Sequence, residues 1–297
     1  MSTHAAQLDE SDLPVPGLAI APARSAMTVL ASGSGGNCSL LRVVLPGGPR
    51  HILIDLGLSP RRTRTLLASR GVHLEQIDAV LLTHLDSDHC HGGWCAANMD
   101  EATLPRRTEV FLARSHSGRA QRMSFNGCRF LTYKAAFTIA GGVPVAPIMM
   151  HHDELGAGVF RFTLPGGSLG FATDLGRATD QLVAHLRGTD VLAIESNYCP
   201  VMQQMSDRPE FLKRRIMGGR GHLSNEECAR AVSAIGPRRE VVLLHLSRRC
   251  NTPDLARAAH VKPRYRVTLS TQDEPTPWVT IDSPVVTPRV QQLALFG

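Results

Sequence analysis

The chain has 297 residues, of which 43% are hydrophobic, so it can bury the core of one large domain or two small ones. No apolar run approaches the roughly 20 residues that a membrane span needs, and the acidic N-terminal segment contains no apolar signal region. Seven cysteines without a Cys-x-x-Cys pair argue against a disulfide framework and predict a reducing, cytoplasmic location. The net charge of +6 favours polyanionic partners, whereas an aromatic content of 5% argues against base stacking as the dominant binding mode.

Residues 1–25 contain three prolines among small and acidic residues and show no helical or strand period, which predicts a flexible tail. From residue 26 to residue 270, short apolar segments and amphipathic segments alternate, and they predict one domain. Because the strands come in clusters with helices interspersed, two sheets with helices on the outside are expected. The predicted strands are 28–31, 39–45, 51–55, 79–83, 109–112, 139–149, 159–164, 169–173, 191–195 and 240–245, and the predicted helices are 60–70, 175–186, 224–235 and 253–259.

Residues 271–297 form the last predicted segment. Four prolines between residues 271 and 290 predict an extended linker. The chain then ends in an apolar hexamer, 292–297, at a place where exposed apolar residues need an explanation.

The segment 83–92, with the sequence THLDSDHCHG, directly follows the apolar run 79–82. A short apolar run that ends in imidazoles and carboxylates predicts a buried strand that delivers metal ligands into a loop. This mixture of nitrogen and oxygen donors suits zinc, manganese or iron better than calcium or magnesium. The candidate ligands in this loop are His84, Asp86, Asp88 and His89.

The loop resembles the first metal motif of the metallo-β-lactamase fold, His-x-His-x-Asp-His, with Asp86 in place of the second histidine. The resemblance implies an α/β protein with a four-layer αββα fold, in which two mixed sheets are flanked by helices. It also implies that three later residues, each at the end of a β-rich stretch, complete the site: His152, Asp174 and His245. An aspartate adds negative charge and hardens the site, so it shifts the metal preference from zinc towards manganese or iron(II), or weakens zinc binding.

Several further strings are similar to the YycJ/WalJ-like metallo-hydrolases of this fold. They include 30–37 (LASGSGGN), 52–57 (ILIDLG), 195–197 (ESN), 212–216 (LKRRI), 221–226 (GHLSNE), and 245–247 (HLS) followed by 250–253 (CNTP). The similarity extends from about residue 27 to residue 260. It implies a nuclease-like enzyme, with 5′-to-3′ exonuclease activity on DNA attributed to members of the group.

The resemblance assigns the candidate ligands to two divalent ions, manganese or iron in preference to zinc. His84, Asp86 and His152 would hold one ion, Asp88, His89 and His245 would hold the other, and Asp174 would bridge them. Asp88 would also orient the bridging hydroxide. Such a site suits phosphodiester hydrolysis, because the reaction needs an activated water and neutralisation of charge on the phosphate.

Other residues around the predicted site have supporting roles. His222 is a catalytic candidate that would contact phosphate or protonate the leaving oxygen, although it also directly precedes a predicted helix start at Ser224. Asp55 is expected to hydrogen-bond to the metal loop rather than to bind metal. The candidate phosphate-binding residues are Ser34 and Asn37 in the Gly-rich turn, and Ser247, Arg248 and Arg249 beside His245.

Three functions compete. The favoured function is a metal-dependent exonuclease that acts on DNA, although the sequence leaves open whether RNA is also a substrate and from which end the strand is degraded. The second is a hydrolase of small phosphodiesters or thioesters, and the third is a catalytically weak binding protein. Clusters of basic residues favour the first, since several of them could line one phosphate track. The clusters include 61–64, 106–107, 114–122, 213–215, 238–239 and 248–249.

The C-terminal residues Gln292, Leu293, Leu295 and Phe296 resemble the Gln-Leu-x-Leu-Phe peptide by which bacterial DNA polymerases and repair proteins dock on the sliding clamp. In that mode, the apolar side chains fill a groove and the glutamine amide hydrogen-bonds at its edge. The alternative is a terminal strand that folds back over its own core. The position of the peptide after a Pro-rich linker favours docking on the clamp.

Overall fold

The computed structural model describes residues 18–20, 25–95, 104–123, 129–152, 154–261, 263–282 and 286–288. The strands are β1 Leu18–Ile20, β2 Ser25–Ala31, β3 Cys38–Leu45, β4 Gly48–Ile54, β5 Ile77–Leu81, β6 Glu109–Ala113, β7 Arg129–Tyr133, β8 Phe137–Ile139, β9 Val143–Met150, β10 Ala157–Leu164, β11 Gly167–Ala172, β12 Val191–Glu195, β13 Glu240–Leu244, β14 Arg266–Leu269, β15 Val279–Thr280 and β16 Val286–Pro288. The helices are α1 Pro60–Ala68, α2 Ser117–Met123, α3 Asp180–Leu186, α4 Pro200–Met205, α5 Glu210–Arg215, α6 Asn225–Ile235 and α7 Pro253–Ala258. None of the helices in these described ranges is long and apolar enough to cross a membrane.

Two seven-stranded mixed sheets form the centre of the domain. The first has the order β15-β2-β3-β4-β5-β6-β7, and the second has the order β14-β13-β12-β11-β10-β9-β8. Strands β4 to β7 run parallel in the first sheet, and β11 to β14 run parallel in the second. All residues of β12 and β13 are buried, as expected for parallel strands that are covered on both faces.

Three apolar clusters confirm the predicted four-layer αββα arrangement. The central cluster joins the two sheets, with Ile52 of the first and Val242 of the second among its members. The second cluster packs Leu67 of α1 against the outer face of the first sheet, and the third packs α3, α6 and α7 against the outer face of the second. The predicted helix start at Ser224 is also confirmed, since its side chain accepts a hydrogen bond from the Glu227 backbone N–H.

The structure contains five internal elements that the sequence pattern did not predict, β7, β14, α2, α4 and α5. It also changes the bounds of two predicted elements. The helix predicted over 175–186 covers only Asp180–Leu186, where the Thr179 side chain caps its first turn. The single strand predicted over 139–149 is two strands, β8 and β9, because Ala140, Gly141 and Gly142 all have positive φ and turn the chain.

The terminal segments also carry more structure than predicted. Strand β1, within the predicted N-terminal tail, pairs antiparallel with β16. Strand β15 pairs antiparallel with β2 at the edge of the first sheet, and Val279 and Ile281 are buried. Residues 271–282, predicted as the start of the linker, therefore belong to the packed domain. The clamp-like peptide 292–296 lies outside the described residues.

Candidate metal centre

The candidate ligands converge at one edge of the two sheets, where the parallel strands have their carboxyl ends. The loop after β5 supplies His84, Asp86, Asp88 and His89. The segments after β9, β11 and β13 supply His152, Asp174 and His245, and β12 ends in Glu195. Both sheets therefore contribute side chains to one cluster, which is the usual place for a site in a fold with parallel strands.

In the described part of the chain, ligand-type atoms form three overlapping sets, in each of which all atoms lie within 4.8 Å of one another. The sets are His84, His152 and Asp174; Asp88, His89 and His245; and Asp174, Glu195, His222 and His245. The structure thus brings together all the predicted ligands except Asp86 in sets of metal-binding geometry.

Asp174 lies at the centre of the cluster. Its carboxylate is 2.7 Å from His89 Nε2, 3.2 Å from His245 Nδ1 and 3.9 Å from His152 Nε2. This aspartate therefore reaches histidines from both halves of the cluster, which is the position that a bridging ligand requires. The histidines hold the pKa of its carboxyl well below its usual range, although burial opposes ionisation.

Asp55 orients the metal loop, as predicted. Its carboxylate accepts hydrogen bonds from the backbone N–H and the hydroxyl of Thr83, at 2.8 and 2.9 Å, and lies 2.7 Å from His89 Nδ1. The contact fixes the His89 ring so that Nε2 faces Asp174 and the centre of the cluster.

The titration of the cluster histidines depends on which carboxylates they contact. Burial would lower the pKa of His89, but Asp174 and Asp55 outweigh it and hold this pKa well above its usual range. Burial also opposes protonation of His245, yet Asp174, Asp88 and Glu195 raise its pKa to about 10. In contrast, burial and the neighbouring His89 hold the pKa of His84 well below its usual range.

Three cluster positions have a backbone conformation that L-residues rarely adopt. Asp55, Asp174 and His245 have φ values of 64°, 52° and 56°. Asp55 and His245 directly follow a strand, and Asp174 is the second residue after β11. Such left-handed residues cost about 1–3 kcal/mol each and are concentrated at functional sites. The turn at each strand end directs the side chain into the cluster.

The donor set fits divalent metal ions, which the fold family implies. Among the described residues, the buried His84 Nε2 makes no hydrogen bond, and the buried His245 Nε2 has only the Asp88 carboxylate oxygen, 3.4 Å away, beside it. A buried polar atom without a partner costs about 1–3 kcal/mol, a penalty that a bound cation would remove. Imidazole nitrogens mixed with carboxylate oxygens are ligands for borderline and harder divalent metals.

Asp86 occupies a different position from the other candidate ligands. One carboxylate oxygen is 2.7 Å from the Arg119 guanidinium, and the other is 3.8 Å from His84 Nε2. Arg119 therefore offsets the negative charge that an aspartate adds at this histidine position. The carboxylate lies at the edge of the cluster, with one oxygen still facing His84.

Glu195 is a residue of the cluster that is absent from the predicted site. It is fully buried, and its carboxylate lies 2.7 Å from His222 Nδ1 and 3.0 Å from His245 Nδ1. The string 195–197 is part of the family resemblance, but a glutamate at the end of an apolar strand does not by itself indicate a site residue. His222 is partly exposed and held in place by this carboxylate, so it points into the cluster rather than serving only as a residue before a helix cap.

The Gly-rich turn supports the metal loop instead of facing a ligand. Asn37 is buried, and its side chain bonds Ser32, Gly33 and the backbone carbonyl of Asp88. The prediction that Asn37 binds phosphate therefore differs from the structure, because its amide is used inside the protein. Ser34 is exposed on the same turn.

The basic residues after His245 lie away from the cluster. Arg248 and Arg249 are exposed and pair with Asp273 and Asp207 at the surface. Ser247 is buried, and its hydroxyl accepts a hydrogen bond from the Cys250 backbone N–H. None of these three predicted phosphate-binding residues is among the described residues that line the cavity beside the cluster.

Residues 50–246 match the Beta-lactamase superfamily domain. The chain belongs to this superfamily. Exodeoxyribonuclease WalJ of Streptococcus pneumoniae is 29% identical over 231 residues, which cover 77% of this chain and 84% of that protein. Exodeoxyribonuclease YycJ of Bacillus anthracis is 27% identical over 236 residues, which cover 77% and 85%. Superfamily membership and these relatives identify the chain as a hydrolytic enzyme.

The fold is also found in solved structures. The metallo-β-lactamase fold protein YhfI from Bacillus subtilis superposes with a TM-score of 0.63 at 17% identity, over 84% of this chain and 98% of its own. The YhfI structure supports the fold assignment and the αββα layers described above.

Proposed function

We propose that this chain is a divalent-metal-dependent phosphodiester hydrolase that degrades DNA from an end, as a 5′-to-3′ exodeoxyribonuclease in DNA repair or replication. The observation that carries the proposal is the histidine–carboxylate cluster at the shared edge of both sheets. It occurs in a chain that is 27–29% identical to two proteins named exodeoxyribonucleases.

Two divalent ions would be held by the two sides of the cluster. His84 and His152 form one side, Asp88, His89 and His245 form the other, and Asp174 reaches both. Bound there, the ions would withdraw charge from the scissile phosphate and activate water for attack.

Two residues supply proton chemistry in this proposal. Asp88 is partly exposed, 3.4 Å from His245 Nε2, so its carboxylate can orient the attacking water. His222, the partly exposed histidine held by Glu195, protonates the leaving oxygen. The buried Glu195 carboxylate fixes the ring, since it lies 2.7 Å from Nδ1 and leaves Nε2 for the substrate.

We propose that the centre prefers manganese or iron to zinc. Asp86 has an anionic oxygen where the family motif has an imidazole, and the oxygen that does not contact Arg119 lies 3.8 Å from His84 Nε2. Affinities of the metal-free protein for Mn²⁺ and Zn²⁺, measured by competition with a chelator, test this preference. Asp86→His should shift the ratio of the two affinities towards zinc. An unchanged ratio contradicts the proposed role of Asp86.

The proposed activity is tested with DNA strands that carry a label at one end. Degradation should begin at a 5′-phosphorylated end, and a strand with the label at its 3′ end should shorten progressively. RNA of the same sequence and a small phosphodiester serve as comparisons. Hydrolysis of the small diester without DNA degradation would favour the small-substrate alternative.

We further propose that residues 292–296, outside the described part of the chain, dock on a bacterial sliding clamp. A peptide of residues 288–297 should bind purified clamp, and the double change Leu295→Ala and Phe296→Ala should abolish binding.

A cytoplasmic location is proposed too, because all six described cysteines are free thiols.

A further inference from the structure

A cavity of about 1030 Å³ opens beside His84 and His152. Its volume is at the upper end of the range for small-molecule sites, about 300–1,000 Å³. Four arginines and two carboxylates are among its lining residues: Arg119, Arg122, Arg215, Arg220, Asp86 and Glu154. The excess of cationic groups makes the cavity attractive to an anion larger than a single phosphate.

The arginines face the cavity from both halves of the fold. Arg119 and Arg122 lie three residues apart on α2, so they share one face of that helix on the side of the first sheet. Arg215 ends α5 and Arg220 precedes His222, on the side of the second sheet. Two groups of arginines, one from each half of the fold, therefore line the cavity as two arginine walls.

An exposed aromatic residue outside the cavity lining lies on α5, the helix that contributes Arg215 to one of these walls. Phe211 is 68% exposed and lies on α5 four residues before Arg215, which places both side chains on the same helix face. An exposed phenyl ring next to cationic side chains is the combination that binds single-stranded nucleic acids, where bases stack on rings and phosphates meet arginines.

We propose that the cavity holds one unpaired strand of nucleic acid, with its phosphates between the two arginine walls and one base stacked on Phe211. The inference rests on the proposed phosphodiester chemistry and specifies the form of the substrate. An unpaired base is required, because the faces of paired bases are covered within a duplex. Arg248 and Arg249, which pair with acidic residues at the surface, have no part in this contact.

The contribution of the arginine charges to strand binding is tested with the double variant Arg122→Gln and Arg215→Gln. Binding of a labelled, phosphorothioate-linked single strand is measured by fluorescence anisotropy over a range of salt concentrations. Each lost phosphate contact should reduce the slope of log affinity against log salt by about 0.7. The matched control, Arg238→Gln with Arg266→Gln, removes the same charge at the opposite edge of the second sheet, from two largely exposed side chains.

The contribution of base stacking on Phe211 to strand binding is tested with Phe211→Ala. This variant should bind the single strand about 5–150-fold more weakly, as expected for one stacked base, and its salt slope should be unchanged. Met205→Ala, which truncates an exposed apolar side chain on α4, is the matched control and should bind like the unaltered protein. Metal content and thermal midpoint are measured for every variant to establish that it is folded.

Two results would overturn the inference. One is an affinity and salt slope of the arginine double variant equal to those of its control; the other is full single-strand affinity of Phe211→Ala. Failure of the proposed function is seen separately, as absence of DNA hydrolysis by the metal-loaded, unaltered protein. The binding measurement decides the inference in either case.

Discussion

A single glycine, Gly57, sets the shape of the metal loop. A Cβ atom on Gly57 would lie 1.8 Å from the carbonyl oxygen of Asp88 and 2.5 Å from the backbone nitrogen of Asn37. The Asn37 backbone N–H donates to the Asp88 carbonyl at 2.7 Å, so three backbone segments meet here without space for a side chain. The Gly57 position therefore fixes the distance between the Gly-rich turn and the candidate ligands Asp88 and His89.

Gly57→Ala should destabilise the protein by about 1–3 kcal/mol and lower its metal content, because the added methyl group must push the Asp88 segment away. Urea unfolding and metal analysis of the purified variant measure the two effects. Gly92→Ala is the matched control, since a Cβ atom there meets no other atom within 4 Å. Equal metal content in the two variants would contradict this role of Gly57.

His222→Ala should lower kcat for DNA by about 10²–10⁴-fold, the usual contribution of general acid catalysis. The loss should be much smaller for bis(p-nitrophenyl) phosphate, whose leaving group needs no proton. Steady-state kinetics with both substrates separate the two cases. A loss of the same size with both would indicate that His222 acts on metal binding or folding instead.

Residues that end an apolar strand with a ligand-type side chain could be predicted from the sequence, as His84, Asp174 and His245 illustrate. Glu195 was harder to predict, because a glutamate at the end of a strand is usually a solvated terminus and only the surrounding histidines give it a role. The contact between Asp86 and Arg119 joins residues 33 positions apart, so no local pattern indicates it. Arg248 and Arg249 are adjacent in sequence to the His245 segment, which predicts a place at the site, but in the fold they pair with acidic residues at the surface.

Among the elements, the edge strand β15 and the segment before it hold the Gly-rich turn in place. The Gln272 side chain accepts a hydrogen bond from the Gly35 backbone N–H at 2.8 Å and donates one to the Gly36 carbonyl. The Thr276 hydroxyl accepts a hydrogen bond from the Val29 backbone N–H, and Ile281 is fully buried. A segment that is rich in proline and polar residues is therefore a structural part of the first sheet.

A chain that ends at residue 270 should lose stability and metal content, because it lacks Gln272, β15 and Ile281. A chain that ends at residue 290 keeps these contacts and should unfold at the same temperature as the full chain. Thermal unfolding and metal analysis compare the two truncations. The idea that 271–282 supports the site would be wrong if both truncated chains matched the full chain.

The central strands could be predicted from the sequence because they are short apolar runs, whereas the segments between them depend on tertiary packing. The helix predicted from residue 175 begins only at Asp180, since Gly176 packs against the carbonyl oxygens of His151 and Gly219 and an added Cβ would lie 2.6–2.9 Å from them. The segment after Asp174 is thus shaped by the loops around the site. Its apolar residues alone resemble a helical pattern.

At the scale of the whole molecule, metal binding and proton release are linked. Without metal, the pKa of His89 lies well above its usual range and that of His245 is about 10, so both imidazoles carry a proton at neutral pH. A metal ion must displace these protons, and raising the pH favours their release. Apparent metal affinity should therefore rise between pH 6 and 8, by about tenfold per pH unit for each proton displaced.

Chelator competition at several pH values measures this dependence, and calorimetry in buffers of different ionisation enthalpy counts the protons released. His185→Gln, a change outside the cluster, should leave both results unaltered. A metal affinity that is constant between pH 6 and 8 would show that His89 and His245 are already neutral in the metal-free protein.

The central claim is that one metal cluster, built by both sheets, hydrolyses DNA from an end. It is tested most directly by adding Mn²⁺ stepwise to the metal-free protein while bound metal and the shortening of a 5′-phosphorylated, 3′-labelled DNA strand are followed in the same sample. The account predicts no hydrolysis without metal and activity that reaches its maximum when two ions are bound per chain. DNA hydrolysis by the metal-free protein, or a metal-saturated protein that leaves the strand intact, would contradict it.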